Sequence, residues 1–267
     1  MQRSNIDHRH GGLLKLHANA TFSEVSNMPP QPFTRAKPQD PDCGTARAVS
    51  YSLLGVAALF ASKPSRGGAR NTADRESHAL STAHIGNLKA AAAHANTIGL
   101  PFTRMITIHW EAAGMPLAGM ATATGRFTDL VAKLIMRHKG QTAWLWTHEN
   151  GPGKGGHCHL LVHVPTALVA RLTALQRRWL HRITGQPYKA RVILSKPIGG
   201  RLGLERGNPE LHANNLEAAL AYVLKGASPE AAAAFRLTRQ EPGGRIIGKR
   251  CGTSQNVGAR ARSQETR

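Results

Sequence analysis

The sequence predicts an α+β fold in which helices pack on a central antiparallel β-sheet. Two observations support this class. Short apolar stretches alternate along the chain with longer segments of helical periodicity, and two of the short stretches flank the glycine-rich turn at 151–156. The predicted element order, α-β-α-β-β-α-β-α, indicates that these stretches pair as a hairpin inside an antiparallel sheet, with the helices packed on it.

Each element follows from local periodicity and from the turn residues beside it. Helices are predicted where apolar residues recur at intervals of three or four or where alanine is abundant, at 83–99, 127–138, 166–183, 214–226 and 229–237. Strands are predicted where apolar residues alternate or dominate, at 105–110, 141–148, 157–164 and 188–194. The glycine- and proline-containing segments 114–125 and 195–208 are predicted to be loops.

The two ends of the chain differ in composition from its middle. Residues 1–80 are polar and contain several prolines, so we expect a disordered region and linker, with one short apolar helix at 49–62. Residues 81–237 are predicted to form the folded domain. Residues 238–267 are rich in glycine and arginine and are predicted to be a basic tail, either solvated or ordered by contact with nucleic acid.

Charge is the most informative feature of the composition. The 267 residues include 35 lysines and arginines against 15 acidic residues, a formal net charge of +20 at pH 7. Such an excess predicts a polyanionic partner, most simply nucleic acid. No Gly-x-x-x-x-Gly-Lys-Ser/Thr motif is present, which excludes an ATPase or helicase module of that type.

The cysteines and the apolar segments predict the cellular compartment of the protein and whether it contacts a membrane. The three cysteines, Cys43, Cys158 and Cys251, are far apart and form no Cys-x-x-Cys motif, so a reducing cytoplasm is expected. The chain lacks an apolar signal segment at its start, and the apolar run at 51–61 is too short to span a bilayer. We therefore expect no membrane partner.

A candidate metal site lies in the strand at 157–164. His157 and His159 are two residues apart, so on a strand they point to the same side with about 7 Å between their Cα atoms. Two imidazoles at that spacing can bind one ion. Glu149 precedes the glycine turn, and hairpin pairing brings it beside the histidines as a carboxylate ligand. The sequence leaves open whether Glu149 or His148 completes the site.

A candidate nucleophile lies on the predicted helix 214–226. Tyr222 and Lys225 are three residues apart, which places a phenol and an ammonium side by side on one face. A tyrosine is a poor nucleophile at its ordinary pKa of about 10, so it needs a nearby cation and a metal-activated phosphate. Tyr188 is the rival, but it follows Pro187 at a strand entrance, which favours a structural role.

His157-Cys158-His159 followed by Tyr222-x-x-Lys225 resembles the HUH endonucleases, and within them the rolling-circle replication initiators that have one catalytic tyrosine. The resemblance covers about residues 100–230, with 105–110 similar to the first strand motif of the family. The tyrosine follows the histidines, as in initiators and single-tyrosine transposases rather than conjugative relaxases. Cys158 departs from the pattern, since a larger aliphatic residue usually stands between the histidines.

The resemblance implies an HUH-type fold, a Mg²⁺ or Mn²⁺ ion on His157, His159 and Glu149, and Tyr222 as the nucleophile supported by Lys225. It implies nicking and rejoining of single-stranded or hairpin DNA at a replication origin of a plasmid or phage, through a 5′-phosphotyrosine intermediate. The host replication machinery is a further partner that the resemblance suggests. The basic residues expected to contact the DNA backbone are Lys154, Arg245, Lys249 and Arg250.

Two other functions are compatible with parts of the sequence. A cupin-type metal enzyme shares the opening Gly151-x₅-His157-x-His159, but the glutamate that this motif needs is replaced at His163 and Val164, and the predicted helices do not fit an all-β fold. A non-catalytic DNA-binding protein, such as a decayed initiator, has the same charge and differs only in lacking cleavage.

Overall fold

A five-stranded antiparallel sheet forms the centre of the part of the chain that the computed structural model describes, residues 75–198 and 207–265. The strands of the described part are β1 Glu76–Ser77, β2 Arg104–Ile108, β3 Trp144–Gly151, β4 Gly155–Val162, β5 Ile193–Pro197, β6 Ile246–Ile247 and β7 Cys251–Thr253. The central sheet has the order β5-β2-β4-β3-β7, and β1 pairs with β6 in a separate two-stranded sheet. The predicted α+β class is confirmed.

Helices cover both faces of the sheet. The helices of the described part are α1 Thr82–Thr97, α2 Met120–Arg137, α3 Val169–Thr184, α4 Pro209–Val223, α5 Pro229–Ala234 and α6 Ala259–Glu265. Phe127 of α2 and Trp179 of α3 pack with Cys158 and Leu160 of β4 in one apolar cluster. The other face carries α1, α4 and α5, whose apolar residues cluster with Leu161 of β4. The side chains of β4 therefore alternate between two separate cores.

The β3–β4 hairpin has the register on which the site depends. Glu149 lies opposite His157, Thr147 lies opposite His159, and the intervening pair, His148 with Cys158, points to the other face. The turn needs glycine at Gly155, which has a φ of 63° and lies against the Glu111 side chain. Because side chains alternate along a strand, a shift of one residue would send all three candidate ligands to the wrong face.

Several element boundaries differ from the predictions, each for a local reason. Helix α2 begins at Met120 rather than 127, because Gly125 is accommodated inside the helix and the predicted loop 114–125 is largely helical. Strand β5 spans Ile193–Pro197 rather than 188–194, because Arg191 has a φ of 65° and interrupts the extended backbone. The first part of the predicted loop 195–208 is therefore strand.

Helix α4 also differs from its predicted span of 214–226. It begins at Pro209, where the Asn208 side chain accepts a hydrogen bond from the Leu211 N–H at 3.0 Å. It ends at Val223, so Lys225 lies beyond the helix, whereas Tyr222 is in its last turn. Lys225 therefore approaches the sheet from the segment after α4, not from the helical face shared with Tyr222.

The prediction of a basic tail from residue 238 onward is wrong for the described residues up to 265. Strand β7 pairs with β3 at the edge of the central sheet, with Cys251 opposite Thr147 and Thr253 opposite Leu145. Gly252 lies directly against the indole of Trp146, where a larger residue would collide. The glycines indicated flexibility in the sequence, but here they allow close approach to the sheet.

The predictions for residues 1–74 lie outside the described residues, and so do Cys43 and the apolar run at 51–61. Residues 75–80, predicted to be linker, instead contribute β1 and the buried Leu80. Among the described helices, none combines the length and the apolar character required to cross a lipid bilayer.

Replacing Gly244 with alanine should destabilise the fold by more than about 2 kcal/mol, because the left-handed backbone alone costs a non-glycine residue about 1–2 kcal/mol. Gly244 has a φ of 67°, and an added Cβ would collide with the Asn150 backbone. Urea unfolding measures the change. The matched control is Gly125→Ala, in open space within α2, which should stabilise the helix by up to about 1 kcal/mol. A Gly244→Ala variant as stable as wild type would contradict the close docking of this segment on β3.

Candidate metal centre

Three buried ligand atoms converge on the α4 side of the sheet. Glu149 Oε2 lies 3.4 Å from His157 Nε2 and 3.6 Å from His159 Nε2, and none of the three side chains is more than 3% exposed. All the ligand atoms of this group lie within 4.8 Å of one another. The hairpin register creates the cluster, because it places Glu149 directly opposite His157 and two residues from the partner of His159. The structure thus brings together the three residues that the sequence predicted.

Hydrogen bonds orient both imidazoles toward the carboxylate. His157 Nδ1 donates to the Gly155 carbonyl oxygen at 2.8 Å, which leaves Nε2 as the nitrogen that faces Glu149. His159 Nδ1 is hydrogen-bonded to Thr107 Oγ1 at 3.0 Å, and its Nε2 also faces Glu149. A partner on the far nitrogen is the usual way in which a protein fixes the ring of a metal-binding histidine.

Two buried polar atoms of this cluster have no hydrogen-bond partner among the described residues. They are Glu149 Oε1 and His159 Nε2. Because a buried polar atom without a partner costs about 1–3 kcal/mol, native proteins rarely leave two in one place unless something binds them. A divalent cation would be bound by the two nitrogens and the carboxylate together, so the residues fit a metal ion.

The protonation of the cluster also favours a cation. Burial opposes ionisation of Glu149, but the facing imidazoles of His157 and His159 and the Lys225 ammonium outweigh it and hold the pKa of this carboxyl well below its usual range. Burial lowers the pKa of His159, although Glu149 opposes the change. Near neutral pH the group is therefore an ionised carboxylate beside a neutral imidazole, which are the forms that bind metals.

Lys225 is a buried cation at the edge of the cluster. Its ammonium forms an ion pair with Glu149 Oε2 and lies 3.3 Å from Glu241 Oε2, while its side chain is only 2% exposed. The Lys225 carbonyl also accepts a hydrogen bond from the Glu241 N–H at 2.8 Å. The residue is thus fixed by its backbone and its side chain. Because its ammonium lies against the Glu149 carboxylate, Lys225 places a positive charge next to the candidate ligands.

The Tyr222 ring packs against this cluster. Its centroid lies 4.9 Å from that of His159, with the rings nearly perpendicular, and 5.2 Å from the Lys225 ammonium. The hydroxyl of Thr147 donates to the Val223 carbonyl at 3.0 Å, which joins the last turn of α4 to the sheet. The candidate nucleophile and the candidate ligands, more than sixty residues apart in the chain, are therefore neighbours.

Arg239 is a second cation at Tyr222, and the sequence analysis missed it. Its guanidinium lies 4.9 Å from the centroid of the Tyr222 ring and donates to Glu241 Oε1 at 2.6 Å, with its side chain 51% exposed. No local pattern identified it, because it follows the short helix α5 in a segment that was predicted to be tail. Only the folding of that segment onto the sheet places Arg239 beside the ring.

His109 was also missed, although it lies within the predicted strand 105–110. Its ring stacks on that of His157, with the centroids 5.4 Å apart and the planes 28° apart. Burial lowers the pKa of His109, and the neighbouring His157 lowers it further. His109 follows the end of β2, the strand that pairs with β4, so pairing of these two strands was the one signal that could have found it.

His148 does not belong to the metal site, which answers the question that the sequence left open. It points to the opposite face of the sheet, where its Nδ1 donates to the Lys249 carbonyl at 2.9 Å. Its Nε2 accepts from the Thr124 hydroxyl at 2.8 Å, and Thr124 accepts in turn from Trp110 Nε1 at 2.9 Å. Both ring nitrogens are therefore used within the protein core.

Of the four basic residues predicted to contact DNA, Lys154 lies nearest to the cluster. It lines a cleft of about 100 Å³ together with Glu149, His157, Lys225 and residues 151–152 and 241–242. Its side chain is 56% exposed, and its ammonium lies 3.9 Å from Glu241. Lys154 is therefore placed at the mouth of the candidate site.

The other three predicted DNA contacts have different environments. Arg245 is exposed and forms a bidentate ion pair with Glu76, and Lys249 is exposed above the Trp146 ring. Arg250 is only 3% exposed, and its guanidinium donates to Ser77 and to three backbone carbonyls nearby. Its donors anchor the segment 243–250 to the sheet, so of the four predicted DNA contacts Arg250 is the one that lies inside the protein.

Comparisons with known proteins add little to this geometry. No protein-family model matches the sequence, and no curated protein matches it. One solved structure, the N-terminal nuclease domain of non-structural protein 1 of minute virus of mice, is similar over 60% of this chain and 78% of that one, with 10% identity and a TM-score of 0.24. That structure is described as having Zn²⁺ coordination in its active-site pocket. A similarity this distant supports no statement about the function of this chain.

Removing the carboxylate ligand should abolish metal binding. Glu149→Gln should lower the affinity for Mn²⁺ by more than about 100-fold, because even outer-shell changes at metal sites cost about 10–100-fold. Calorimetric titration of Mn²⁺ into the protein measures this. The control is His163→Gln, just beyond the end of β4, whose ring is hydrogen-bonded to the Pro101 carbonyl at 2.7 Å, and it should bind Mn²⁺ like wild type. Equal affinities for wild type and Glu149→Gln would refute the site.

Stability should fall in acid because of His148. Burial lowers its pKa from 6.5 to about 3, so between these values the unfolded chain binds a proton that the folded chain does not. The contribution is fully present above pH 6.5 and is lost as the pH falls, by up to about 1.4 kcal/mol per pH unit. Urea unfolding of wild type and His148→Gln across pH 4.5–7.5 isolates it, and identical slopes would contradict the prediction.

Proposed function

We propose that this protein is a metal-dependent enzyme that nicks and rejoins single-stranded DNA, with Tyr222 as the nucleophile. The observation that supports it most directly is the packing of the Tyr222 ring against His159, 4.9 Å between centroids, in a cluster that fits a divalent cation. A phenol, a metal site and exposed cations are the groups that phosphodiester transfer needs. The high net charge of +20 adds support for a polyanionic substrate.

The reaction is a transesterification, in which one phosphodiester linkage is broken and another is formed. The Tyr222 phenol loses its proton, and its oxygen forms a bond to the scissile phosphorus. The bond from phosphorus to the 3′ oxygen breaks, and that oxygen takes up a proton and becomes a free 3′-hydroxyl. The 5′ side remains attached as a phosphotyrosine ester. Because the bond energy is conserved, reversal rejoins the strand without ATP.

A bound divalent ion supplies positive charge to the scissile phosphate, and His157, His159 and Glu149 would hold it. We propose Mg²⁺ or Mn²⁺ as in related chemistry on phosphates. Of the two, the two imidazole donors favour Mn²⁺, because Mg²⁺ binds oxygen ligands with a strong preference. The remaining coordination positions would be available for phosphate oxygens.

The cations around Tyr222 have distinct proposed roles. The ammonium of Lys225 is buried against Glu149 and Glu241, and from there it would stabilise negative charge near the Tyr222 ring. Arg239 is half exposed at the ring face and is the better placed of the two to contact a DNA phosphate. Lys154 at the cleft mouth would contact the backbone on the other side. Arg245 and Lys249 would act farther along the strand.

The wider role that we propose is initiation of rolling-circle replication of a plasmid or phage, since a free 3′-hydroxyl can prime synthesis. The substrate would be single-stranded or hairpin DNA at an origin, in the cytoplasm, and the replication proteins of the host would use the new end. The cupin-type alternative is set aside, because that enzyme class needs an all-β fold and helices cover both faces of this sheet.

The test is covalent capture of DNA. Incubating the protein with Mn²⁺ and a labelled pool of random-sequence single strands should give a denaturation-resistant adduct, and mass spectrometry should locate the link on the peptide that contains Tyr222. Tyr222→Phe should give none, because it lacks the attacking oxygen, while the matched control Tyr188→Phe should react like wild type. DNA binding without an adduct in wild type would instead favour the non-catalytic DNA-binding protein.

A further inference from the structure

The longest stretch without an acidic side chain lies in the middle of the folded part. Between Glu149 and Glu205 the sequence contains no aspartate or glutamate, although lysine and arginine recur throughout. Six of these cations lie on helix α3 or in the segment that leads from it to β5, and all six are exposed: Arg171, Arg177, Arg178, Arg182, Lys189 and Arg191. We call this set the α3 surface. It has a single sign of charge.

The arginines of α3 lie along its solvent side. The helix is anchored in the core by Leu172, Trp179 and Leu180 among others, so its outer face carries the charges. Arg171, Arg178 and Arg182 follow at intervals of seven and four, which places them in one stripe. At about 1.5 Å per residue the stripe extends for about 16 Å, a little more than the width of about 12 Å of the DNA major groove.

None of the six cations forms an ion pair with a described residue. Arg177 lies over the Tyr188 ring, 5.1 Å from its centroid, which holds its guanidinium in place without neutralising it. Some other exposed cations of the described part are paired, such as Lys133 with Asp129 and Arg245 with Glu76. Within residues 75–198 and 207–265, no carboxylate therefore compensates the charge of the α3 surface.

This surface and the candidate metal centre are on opposite faces of the sheet. Helix α3 packs on the face that carries Cys158 and Leu160, whereas His157 and His159 point to the other face. A strand bound at Tyr222 therefore does not run across α3. The proposed nicking reaction therefore does not account for the charge of the α3 surface.

We propose that the α3 surface binds the phosphate backbone of double-stranded DNA. A straight stripe of unpaired arginines matches the regular phosphate rows on either side of a groove, and Arg is suited to bidentate contact with phosphate. Only the choice of DNA over RNA rests on the proposed function. The surface would hold the duplex on the face of the sheet opposite the candidate metal centre, and its binding would depend strongly on salt.

The chemistry of the surface distinguishes this partner from a lipid membrane. A membrane-binding helix needs an exposed apolar face beside its cations. The apolar residues of α3 are directed into the core, and the large exposed apolar residues of the described part are Met136 and Leu194, neither of which is on α3. Binding to the phosphate backbone of a duplex needs only the positively charged side chains.

The test compares two triple variants that remove the same charge. Arg171→Gln with Arg178→Gln and Arg182→Gln should weaken binding of a short blunt DNA duplex, followed by fluorescence anisotropy in EDTA. It should also reduce the slope of log K against log salt by about 2–3, because each phosphate contact contributes about 0.9. The control combines Arg75→Gln, Arg236→Gln and Arg260→Gln, exposed residues away from α3, and should change duplex binding much less.

The outcomes separate this proposal from the proposed function. The assay contains no free metal and measures no cleavage, so it is independent of Tyr222, and each result stands without the other. Equal losses from the two triple variants, or an unchanged duplex affinity in the α3 variant, would overturn the assignment. A larger loss for the same sequence as a single strand, or for duplex RNA, or for vesicles containing phosphatidylserine, would also overturn the choice of duplex DNA.

Discussion

The constraint on which the rest of the structure depends is the burial of Glu149 opposite two imidazole nitrogens. A carboxylate oxygen 3.4 Å and 3.6 Å from two ring nitrogens is favourable only when positive charge lies among them, whether a proton, an ammonium or a metal ion. The protein supplies part of that charge through Lys225. In the part of the chain that the structure describes, one carboxylate oxygen and one imidazole nitrogen of the cluster still have no hydrogen-bond partner. The elements around the cluster serve to hold these charges in a fixed geometry.

Three separate parts of the chain provide that geometry, and the sheet joins them. The hairpin supplies the ligands, the end of α4 supplies Tyr222 and Lys225, and the segment after α5 supplies Arg239 and Glu241. Backbone and side-chain hydrogen bonds connect the second and third parts to β3, through Thr147 to Val223 and through Asn150 to Gly243. Because these bonds lie next to the ligands, the distance between the candidate nucleophile and the ligands is set by the core rather than by surface loops.

The basic residues show that net charge does not by itself define a binding surface. Arg250 is used inside the protein, where burial lowers the pKa of its guanidinium to about 10 and backbone carbonyls accept its donors. The Lys225 ammonium contacts two carboxylates, whereas Lys154 lies at the mouth of the cleft and Arg239 lies over the Tyr222 ring. The cations of α3 lie on the opposite face, and none of them forms an ion pair with a described residue. Lysine and arginine therefore have three different uses in this protein. They anchor a segment in the core, they place positive charge beside the metal cluster, and on α3 they form the proposed docking surface.

The sequence by itself determined the α+β class, the hairpin and the pair of histidines in the cluster, because alternation along a strand and the glycine turn are local properties. It predicted that His157 and His159 point to the same side, and it proposed Glu149 beside them while leaving His148 as the alternative. Tertiary structure alone decided that His148 faces a core, that Lys225 lies beyond α4, and that Arg239 and His109 adjoin the site. It also decided that residues 238–265, rich in glycine and arginine, complete the sheet. These outcomes depend on contacts between segments that are distant in the sequence. The packing of Gly252 on Trp146 and the buried hydrogen bonds of Arg250 outweigh the local preference of this segment for a flexible, solvated chain.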